Sequence, residues 1–137
     1  MRVLALDYGS ARCGCALSDP TGTIVTPIAA IPNVDTRRGL QALAEVVRDR
    51  AVERVVVGLP LSLRGDDTDQ TRETRAFARR LSRRLGDATP VEMLDERFTT
   101  RIAQGMEGPF AEGEDSRAAA VLLESWLALR SAQPGSR

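Results

Sequence analysis

Three carboxylates stand at the ends of segments with regular hydrophobic patterns, where acids can act on a bound ligand. Asp7 closes the apolar run Val3–Leu6, Glu96 follows a second run at 91–94, and Asp115 stands where the last apolar segment begins. In open α/β sheets, ligands bind beyond the carboxyl ends of the strands. If the two strands are neighbours, ~4.8 Å apart, Asp7 and Glu96 would repel by roughly 3 to 4 kcal/mol at an effective dielectric of 20. A divalent cation would turn that repulsion into coordination.

The residue types that are missing limit the chemistry that these acids could do. The chain has 137 residues, no His, and 19 basic residues that are all Arg. Without His and Lys, the sequence excludes imidazole acid–base catalysis, Cys/His zinc sites, Schiff bases and the Walker A lysine. Ligands that are all oxygen favour Mg²⁺ or Mn²⁺. Each acid also has a plainer interpretation, because Asp115 could cap a helix and an acid after a strand can simply be solvated.

Changes in apolar spacing along the chain predict the elements that must position these acids. Short apolar or alternating runs predict strands at Val3–Leu6, Arg12–Leu17, Thr23–Pro27, Arg54–Gly58 and Val91–Leu94, with Gly58-Leu59-Pro60 ending the fourth. Helical spacing predicts helices after the cap candidate Thr36, around Phe77, Leu81 and Leu85, at Thr99–Gln104, and from about Asp115 to Arg130, with a frayed tail from Ser131. This order predicts a single domain, 1–137, of the α/β class: a mixed five-stranded sheet, an antiparallel meander and then parallel strands, flanked by helices.

Charge and hydropathy predict a cytoplasmic protein. The formal net charge is zero, with 19 basic and 19 acidic residues, so the chain has no bulk positive field. No apolar run approaches the ~20 residues of a membrane span, and no signal-like segment precedes the first strand, so no membrane partner is expected. Cys13 and Cys15 lie on one face of a strand and are predicted to be reduced core thiols. Gly9 and Gly14 could serve a tight turn and a bulge.

The second predicted helix concentrates positive charge. Six arginines fall within thirteen residues with one acid among them, at Arg72, Arg75, Arg79, Arg80, Arg83 and Arg84. Because like charges repel along a helix, this arginine face is either the solvated side of a core helix or a surface that follows phosphates. The candidate substrate contacts are Arg75, Arg79 and Arg83. With only 4% aromatic residues, recognition of nucleic acid by shape and backbone is expected rather than base stacking.

Four segments together resemble the signature of a known family. They are Asp7–Gly14, Val56–Leu61 with Gly65 beyond it, Asp95–Thr100, and Asp115–Ala120. In this order and at this spacing they are similar to the YqgF (RuvX) family, small bacterial ribonuclease H-like proteins related to the RuvC Holliday-junction resolvases. The resemblance spans nearly the whole chain.

The resemblance implies a ribonuclease H-like fold and a metal-dependent nuclease. Its substrate would be structured nucleic acid, either branched DNA of the Holliday-junction type or the precursor of 16S rRNA, whose 5′ end it would mature. The family's acidic triad falls on Asp7, Glu96 and Asp115. Two Mg²⁺ or Mn²⁺ ions about 4 Å apart would activate water and neutralise the phosphate, with Asp7 bridging them. Arg12 and Arg97, beside the acids, could orient phosphates or form salt bridges that hold the acids in place.

The segment before the last acid departs from the family pattern. In the family, that segment usually carries basic residues, whereas 105–114 contains Glu107, Glu112 and Glu114 and no Arg. Contacts between this segment and a nucleic-acid strand are therefore not expected here. The lack of Lys is a milder departure.

Two other classes of function remain open. One is a phosphotransferase of the actin/hexokinase type, for which 137 residues lack the second domain that closes over ATP. The other is a non-catalytic nucleic-acid-binding factor in ribosome assembly that keeps the fold. For the oligomeric state, the sequence allows either a monomer or a homodimer.

Overall fold

The computed structural model describes residues 1–99 and 116–132. Within these residues the strands are β1 (Val3–Asp7), β2 (Arg12–Ser18), β3 (Val25–Pro32), β4 (Arg54–Leu59) and β5 (Val91–Asp95). The helices are α1 (Arg37–Asp49), α2 (Asp69–Leu85) and α3 (Arg117–Ala132), and a 3₁₀ turn (Glu96–Phe98) follows β5 directly. None of the described helices is long and apolar enough to cross a membrane.

The five strands form one mixed sheet in the order β3-β2-β1-β4-β5. β1, β2 and β3 pair antiparallel, whereas β4 runs parallel to both β1 and β5. The predicted fold class, a meander followed by parallel strands, is therefore confirmed. One assumption about the sheet is wrong: β5 is not the neighbour of β1, because β4 lies between them.

The sheet separates two apolar clusters, and each strand contributes alternate residues to them. On β1, Leu4 and Leu6 pack with Phe77 and Leu81 of α2 and with α1. Val3 and Ala5 point the other way and pack with Val56, Ala119, Leu122, Leu123 and Trp126 under α3. β4 is buried on both faces, as its continuous run of valines predicts.

Local capping explains where two helices begin. The hydroxyl of Thr36 accepts a hydrogen bond from the Gly39 N–H, which confirms the predicted cap of α1. The N-cap of α2 is Thr68, whose hydroxyl accepts from the Thr71 N–H while Thr71 bonds back to the Thr68 N–H. This capping box starts α2 eight residues before Phe77, well upstream of the apolar residues that predicted the helix.

Several predicted boundaries differ from those in the structure. β3 covers Val25–Pro32 rather than Thr23–Pro27, and its prolines are tolerated because it is an edge strand. α3 continues through Ser131 and Ala132, so the predicted fraying does not begin at Ser131. The helix predicted at Thr99–Gln104 lies outside the described residues from position 100 onward.

The two thiols are buried on one face of β2, as predicted. Cys13 and Cys15 are both free cysteines with no exposed surface. The pKa of Cys13 is raised by its hydrogen bond with Cys15 and by burial, so this thiol is inert at neutral pH. The pairing of β2 with β3 shifts register between these cysteines, where Gly14 alone faces two residues of β3. The bulge therefore lies on β3, opposite Gly14, and not at Gly14 itself.

Candidate active site

Asp7 is positioned by the end of β1, on the face of the sheet that α3 covers. It follows Val3 and Ala5 in the alternation along the strand, and both of those residues pack under α3. The chain then turns tightly at Gly9, where a Cβ would stand 2.6 Å from the Arg12 carbonyl oxygen. The turn therefore needs glycine for close backbone approach, and it ends β1 with the Asp7 carboxylate at the edge of the sheet.

Glu96 reaches the same place by crossing over β4. It begins the 3₁₀ turn after β5, two strands away from β1. Gly58 lies on the intervening strand, and a Cβ there would stand 2.7 Å from the Glu96 Oε1 atom and 3.3 Å from its Cγ. The missing side chain of Gly58 thus provides the space that Glu96 occupies.

The fourth strand ends within the predicted stop Gly58-Leu59-Pro60, but one residue later than the predicted range Arg54–Gly58. Gly58 is buried inside β4, where it pairs with Leu94, and the strand continues to Leu59. A glycine within an otherwise apolar strand is a known signal of close approach by another group. That signal was present in the sequence, but Gly58 was interpreted only as part of the stop that ends the strand.

The two carboxylates influence each other electrostatically. Burial raises the pKa of Asp7 above its usual value. The pKa of Glu96 is raised first by burial and then by the negative charges of Asp7 and Asp95. Within the described part of the chain, neither carboxylate forms an ion pair with an arginine. Two half-buried acids that repel each other have the chemistry to bind an external cation.

The third predicted acid, Asp115, lies outside the described residues, but the next residue is firmly placed. The Ser116 hydroxyl accepts a hydrogen bond from the Cys15 N–H at 2.9 Å and donates one to the Ile28 carbonyl at 2.7 Å. Ser116 has no exposed surface. It therefore fastens the start of α3 to the bulged part of β2 and β3. This role was not predicted, because a serine at a helix start does not by itself reveal partners about 90 to 100 positions earlier in the chain.

A cleft of about 670 Å³ joins these features at the edge of the sheet. Its polar lining consists of Asp7, Glu96, Thr99 and Arg117, and its apolar lining comes from Ala118, Val121 and Leu122 of α3. Arg117 was not predicted as a site residue. The signal that could have found it is an arginine in the first turn of a helix whose next turns are Ala, Val and Leu.

Arg97 lies beside the site but is held by Asp95. Its Nε donates to both Asp95 oxygens at 3.1 and 2.9 Å, and its Nη2 donates to Oδ2 at 2.6 Å. Its Nη1 donates to the Leu63 carbonyl at 3.4 Å, and the guanidinium lies against Gly65, which has a φ of +88°. Arg97 therefore links the 3₁₀ turn to the loop after β4. Of the two roles predicted for Arg97, the structure contains a salt bridge, but it is formed with Asp95 and not with one of the predicted metal ligands.

Two other residues near the site are Arg12 and Thr99. Arg12 is exposed at the first residue of β2. Thr99 lines the cleft, and its hydroxyl donates to the Glu96 carbonyl at 2.8 Å, so it closes the turn that presents Glu96.

The arginine face of α2 lies across the sheet from the cleft, since α2 packs on the side opposite α3. Three of its six arginines pair with acids: Arg72 with Asp69, Arg75 with Asp67 and Arg80 with Asp35. Arg84 donates to the neutral Gln41, and Arg83 donates weakly to the Arg79 carbonyl at 3.5 Å. Among the predicted contacts, Arg79 and Arg83 thus form no ion pair with a described acid, whereas Arg75 does.

The donor set at the cleft fits a hard divalent cation. Asp7 and Glu96 supply carboxylate oxygens at raised pKa, the ligands that Mg²⁺ and Mn²⁺ prefer. Across residues 1–99 and 116–132, no group of three or more His, Cys, Asp or Glu side chains is arranged to hold a metal. Two of the three predicted ligands are therefore brought together, and the third position is the undescribed Asp115.

The sheet order, the helices on both faces and the acids at the carboxyl edge of β1 and β5 define a ribonuclease H-like fold of the resolvase type. RuvC from Thermus thermophilus, solved in complex with a Holliday-junction substrate, superposes with a TM-score of 0.67 over 97% of each chain at 13% identity. A second structure of RuvC from Thermus thermophilus superposes with a TM-score of 0.60.

The family model described as "RuvX: Holliday junction resolvase" matches residues 1–129, and the chain belongs to this family. A relative from Maridesulfovibrio salexigens is 35% identical over 135 residues, covering 93% of this chain and 98% of its own. Another, from Anaeromyxobacter sp. strain K, is 38% identical over 138 residues, covering 96% and 99%. Both carry the name "Putative pre-16S rRNA nuclease". The predicted family is thus confirmed, and it is a family of nucleases.

Proposed function

We propose that this protein is a metal-dependent nuclease that hydrolyses phosphodiester bonds in structured nucleic acid. The observation that carries the proposal is that Asp7 and Glu96 line one cleft, with Glu96 in the space above Gly58, and that neither acid forms an ion pair with an arginine among the described residues. If these two half-buried carboxylates had only a structural role, their repulsion would raise the free energy of the folded state with no compensating interaction. If the pair binds a cation that in turn binds a phosphate, the same two charges become favourable, because both carboxylates are attracted to the cation.

Asp7, Glu96 and Asp115 are the residues that would hold Mg²⁺ or Mn²⁺. When bound, two such ions supply an activated water and positive charge around the non-bridging oxygens of the phosphate. The protein supplies the carboxylates in a fixed place: β1 and the Gly9 turn set Asp7, and the 3₁₀ turn closed by Thr99 sets Glu96. This division of labour suits a chain without His or Lys.

The arginines contribute in different ways. Arg12 is exposed near the end of β1 and is proposed to contact a phosphate that flanks the cleaved bond. Arg97 is proposed to reach substrate only with the second N–H of each Nη atom, since its Nε and one N–H of each Nη already donate to Asp95 or to Leu63. Arg75, Arg79 and Arg83 are proposed to follow the phosphate backbone where the substrate extends past the sheet to α2, with Arg79 and Arg83 the stronger contributors because Arg75 pairs with Asp67.

The precursor of 16S rRNA is the substrate that we favour, because relatives that share 35 to 38% of residues over nearly the whole chain carry that name. Cleavage of branched DNA is the second candidate, and it rests on the description of the matching family. The likeness to RuvC at 13% identity speaks for the fold alone. We further propose that residues 1–137 act as one nuclease domain in the cytoplasm.

A non-catalytic binding factor on the same fold is the main alternative. Such a protein would have no need to leave Asp7 and Glu96 unneutralised in a cleft. Pairing with an arginine, as Asp95 does, would stabilise either acid. The alternative therefore predicts that both acids can be changed without loss of function.

The deciding experiment compares cleavage of two matched substrates under the same conditions. One is an RNA that carries the 5′ leader of 16S rRNA, and the other is a four-way DNA junction of similar size, each with Mg²⁺ or Mn²⁺. We expect metal-dependent cleavage of the RNA at a defined site, and no cleavage by Asp7→Asn. Cleavage of the junction alone would make branched DNA the substrate. Tight binding of either substrate without cleavage, equal in wild type and Asp7→Asn, would favour the non-catalytic factor.

A further inference from the structure

Arg117 is a basic side chain in the cleft to which neither the sequence nor the proposed mechanism assigns a role. It is exposed, and it lines the same cleft as Asp7 and Glu96. Arg12 and Arg97 do not line this cleft, and the arginine face of α2 lies across the sheet. Among the described residues, Arg117 is therefore the arginine that shares the space of the two acids.

The backbone of Arg117 is held in place by its neighbours. Ser116 is buried and bonded to both Cys15 and Ile28, and Ala119 and Ala120 are buried against the sheet. The side chain thus begins at a fixed point and lines the cleft. A long cationic side chain on a fixed base is suited to meeting an anionic ligand without movement of the helix.

Helix stability does not account for an arginine at this position. Arg117 is the first residue of α3, and a cation in the first turn is opposed by the partial positive charge at the helix N-terminus. The long apolar face of α3 packs on the sheet through other residues. A neutral or acidic residue would suit the helix dipole better, whereas the position of Arg117 in the lining of the cleft suits an anionic ligand.

We propose that Arg117 binds a non-bridging oxygen of the phosphate that is cleaved and so orients it against the carboxylates. This inference rests on the proposed function, since it assumes that a phosphodiester enters the cleft. The guanidinium offers paired N–H groups that match two phosphate oxygens. The opposite role is that of an internal counter-ion, in which Arg117 neutralises the carboxylates and competes with the metal.

The test compares Arg117→Gln, Arg117→Lys and Arg130→Gln in single-turnover cleavage at saturating Mg²⁺ across a range of substrate concentrations. Arg130 is the matched control, because it lies at the other end of α3 over the Trp126 ring, at 5.1 Å from the ring centroid. We expect Arg117→Gln to lower kcat/KM by about 10- to 100-fold, the range for loss of one charged hydrogen bond. Arg117→Lys should recover part of this loss, because it restores the charge but not the paired geometry, and Arg130→Gln should stay within twofold of wild type.

The result separates three outcomes. If Arg117→Gln cleaves as fast as wild type or faster, Arg117 is a counter-ion or a solvated side chain, and the inference is overturned while the proposed function stands. If Arg117→Lys is as slow as Arg117→Gln and both melt several degrees below wild type, the role is structural, and the inference is again overturned. If the wild-type protein cleaves neither RNA nor junction DNA, the proposed function fails first and takes this inference with it.

Discussion

Asp95 and Glu96 are consecutive residues in opposite electrostatic surroundings. Asp95 accepts hydrogen bonds from the Arg97 guanidinium, and these bonds hold the pKa of Asp95 below its usual value. Glu96 turns the other way over Gly58 toward Asp7, and burial together with the charge of Asp7 raises its pKa. The same contrast appears at Asp35, which pairs with Arg80.

The contrast separates acids that support the fold from acids that are available for chemistry. In a chain with 19 arginines, a shortage of cations does not explain why neither Asp7 nor Glu96 has an ion pair among the described residues. Arginine is supplied one residue away from Glu96 and is directed to Asp95. Acids that the fold leaves in mutual repulsion are those that an external cation can bind with a gain in free energy.

The largest effect is expected from neutralising either acid of the repelling pair. Asp7→Asn and Glu96→Gln should each lower cleavage by at least ~100-fold, equivalent to about 2.7 kcal/mol of transition-state stabilisation, because each keeps its shape and loses one ligand charge. Asp115→Asn is expected to do the same. Cleavage rates under saturating Mg²⁺ measure the loss.

Asp95→Asn is the matched control for Glu96→Gln. It should lower the melting temperature by releasing Arg97, and its cleavage rate should fall much less than that of Glu96→Gln. Near wild-type activity in Asp7→Asn or Glu96→Gln would remove that residue from the site.

A second variant tests whether Gly58 makes the space for Glu96. Gly58→Ala would put a Cβ at 2.7 Å from the Glu96 Oε1 atom and 3.2 Å from Leu122 Cδ2. Since a glutamate side chain can rotate away, we expect cleavage to fall about tenfold or more, or ~1.4 kcal/mol, with little change in unfolding free energy. Urea unfolding beside the cleavage assay separates the two quantities. An active and stable Gly58→Ala would show that Glu96 does not need the space above β4.

A third variant tests how the start of α3 is fastened near the site. Ser116→Ala leaves the Cys15 N–H and the Ile28 carbonyl without their shared hydroxyl, which should cost about 1–3 kcal/mol of unfolding free energy. Ser125→Ala is the control on the same helix, because the Ser125 hydroxyl donates to the Val121 carbonyl one turn back. It should cost clearly less in the same urea titration. Equal losses in both variants would show that Ser116 is no special anchor.

The smallest effect is expected on the far side of the sheet. Replacing Arg75, Arg79 and Arg83 by Gln should weaken binding to all sequences alike and flatten the salt dependence by up to ~0.9 per lost duplex phosphate contact. Arg75→Gln alone should change the slope least, because Asp67 already neutralises it. Binding measured across a salt series decides this, and an unchanged slope in the triple variant would make the arginine face a solvated surface.

The order of strands and helices along the chain was predictable, because apolar spacing is a local property. The cap at Thr36 and the acids at 7 and 96 followed from the same kind of pattern. The lateral order of the strands was not predictable in this way, and β4 was therefore missed as the strand between Asp7 and Glu96. The close approach of Glu96 to Gly58 was missed for the same reason, since it involves a side chain 38 positions further along the chain.

The anchors and cations of the site were harder to predict. Ser116 bonds to the backbone of Cys15 and Ile28. These two residues lie beside a bulge that becomes visible only when β2 and β3 are paired. The division of the arginines on α2 into those paired with acids and those without such a pair depends on Asp35 and Asp67, which lie outside the helix. Contacts of this kind become visible only when distant segments are brought together.

The most direct test of the central claim is a thermal melt of wild type and Asp7→Asn across a Mg²⁺ titration at constant ionic strength. If Asp7 and Glu96 form a shared cation site, metal-free Asp7→Asn should melt above metal-free wild type, because one of the repelling charges is gone. Mg²⁺ at ten times its Kd should stabilise wild type by about 1.4 kcal/mol, a shift of a few degrees for a domain of this size, and the shift should shrink in Asp7→Asn. Equal shifts in both proteins, with wild type the more stable without metal, would contradict the claim.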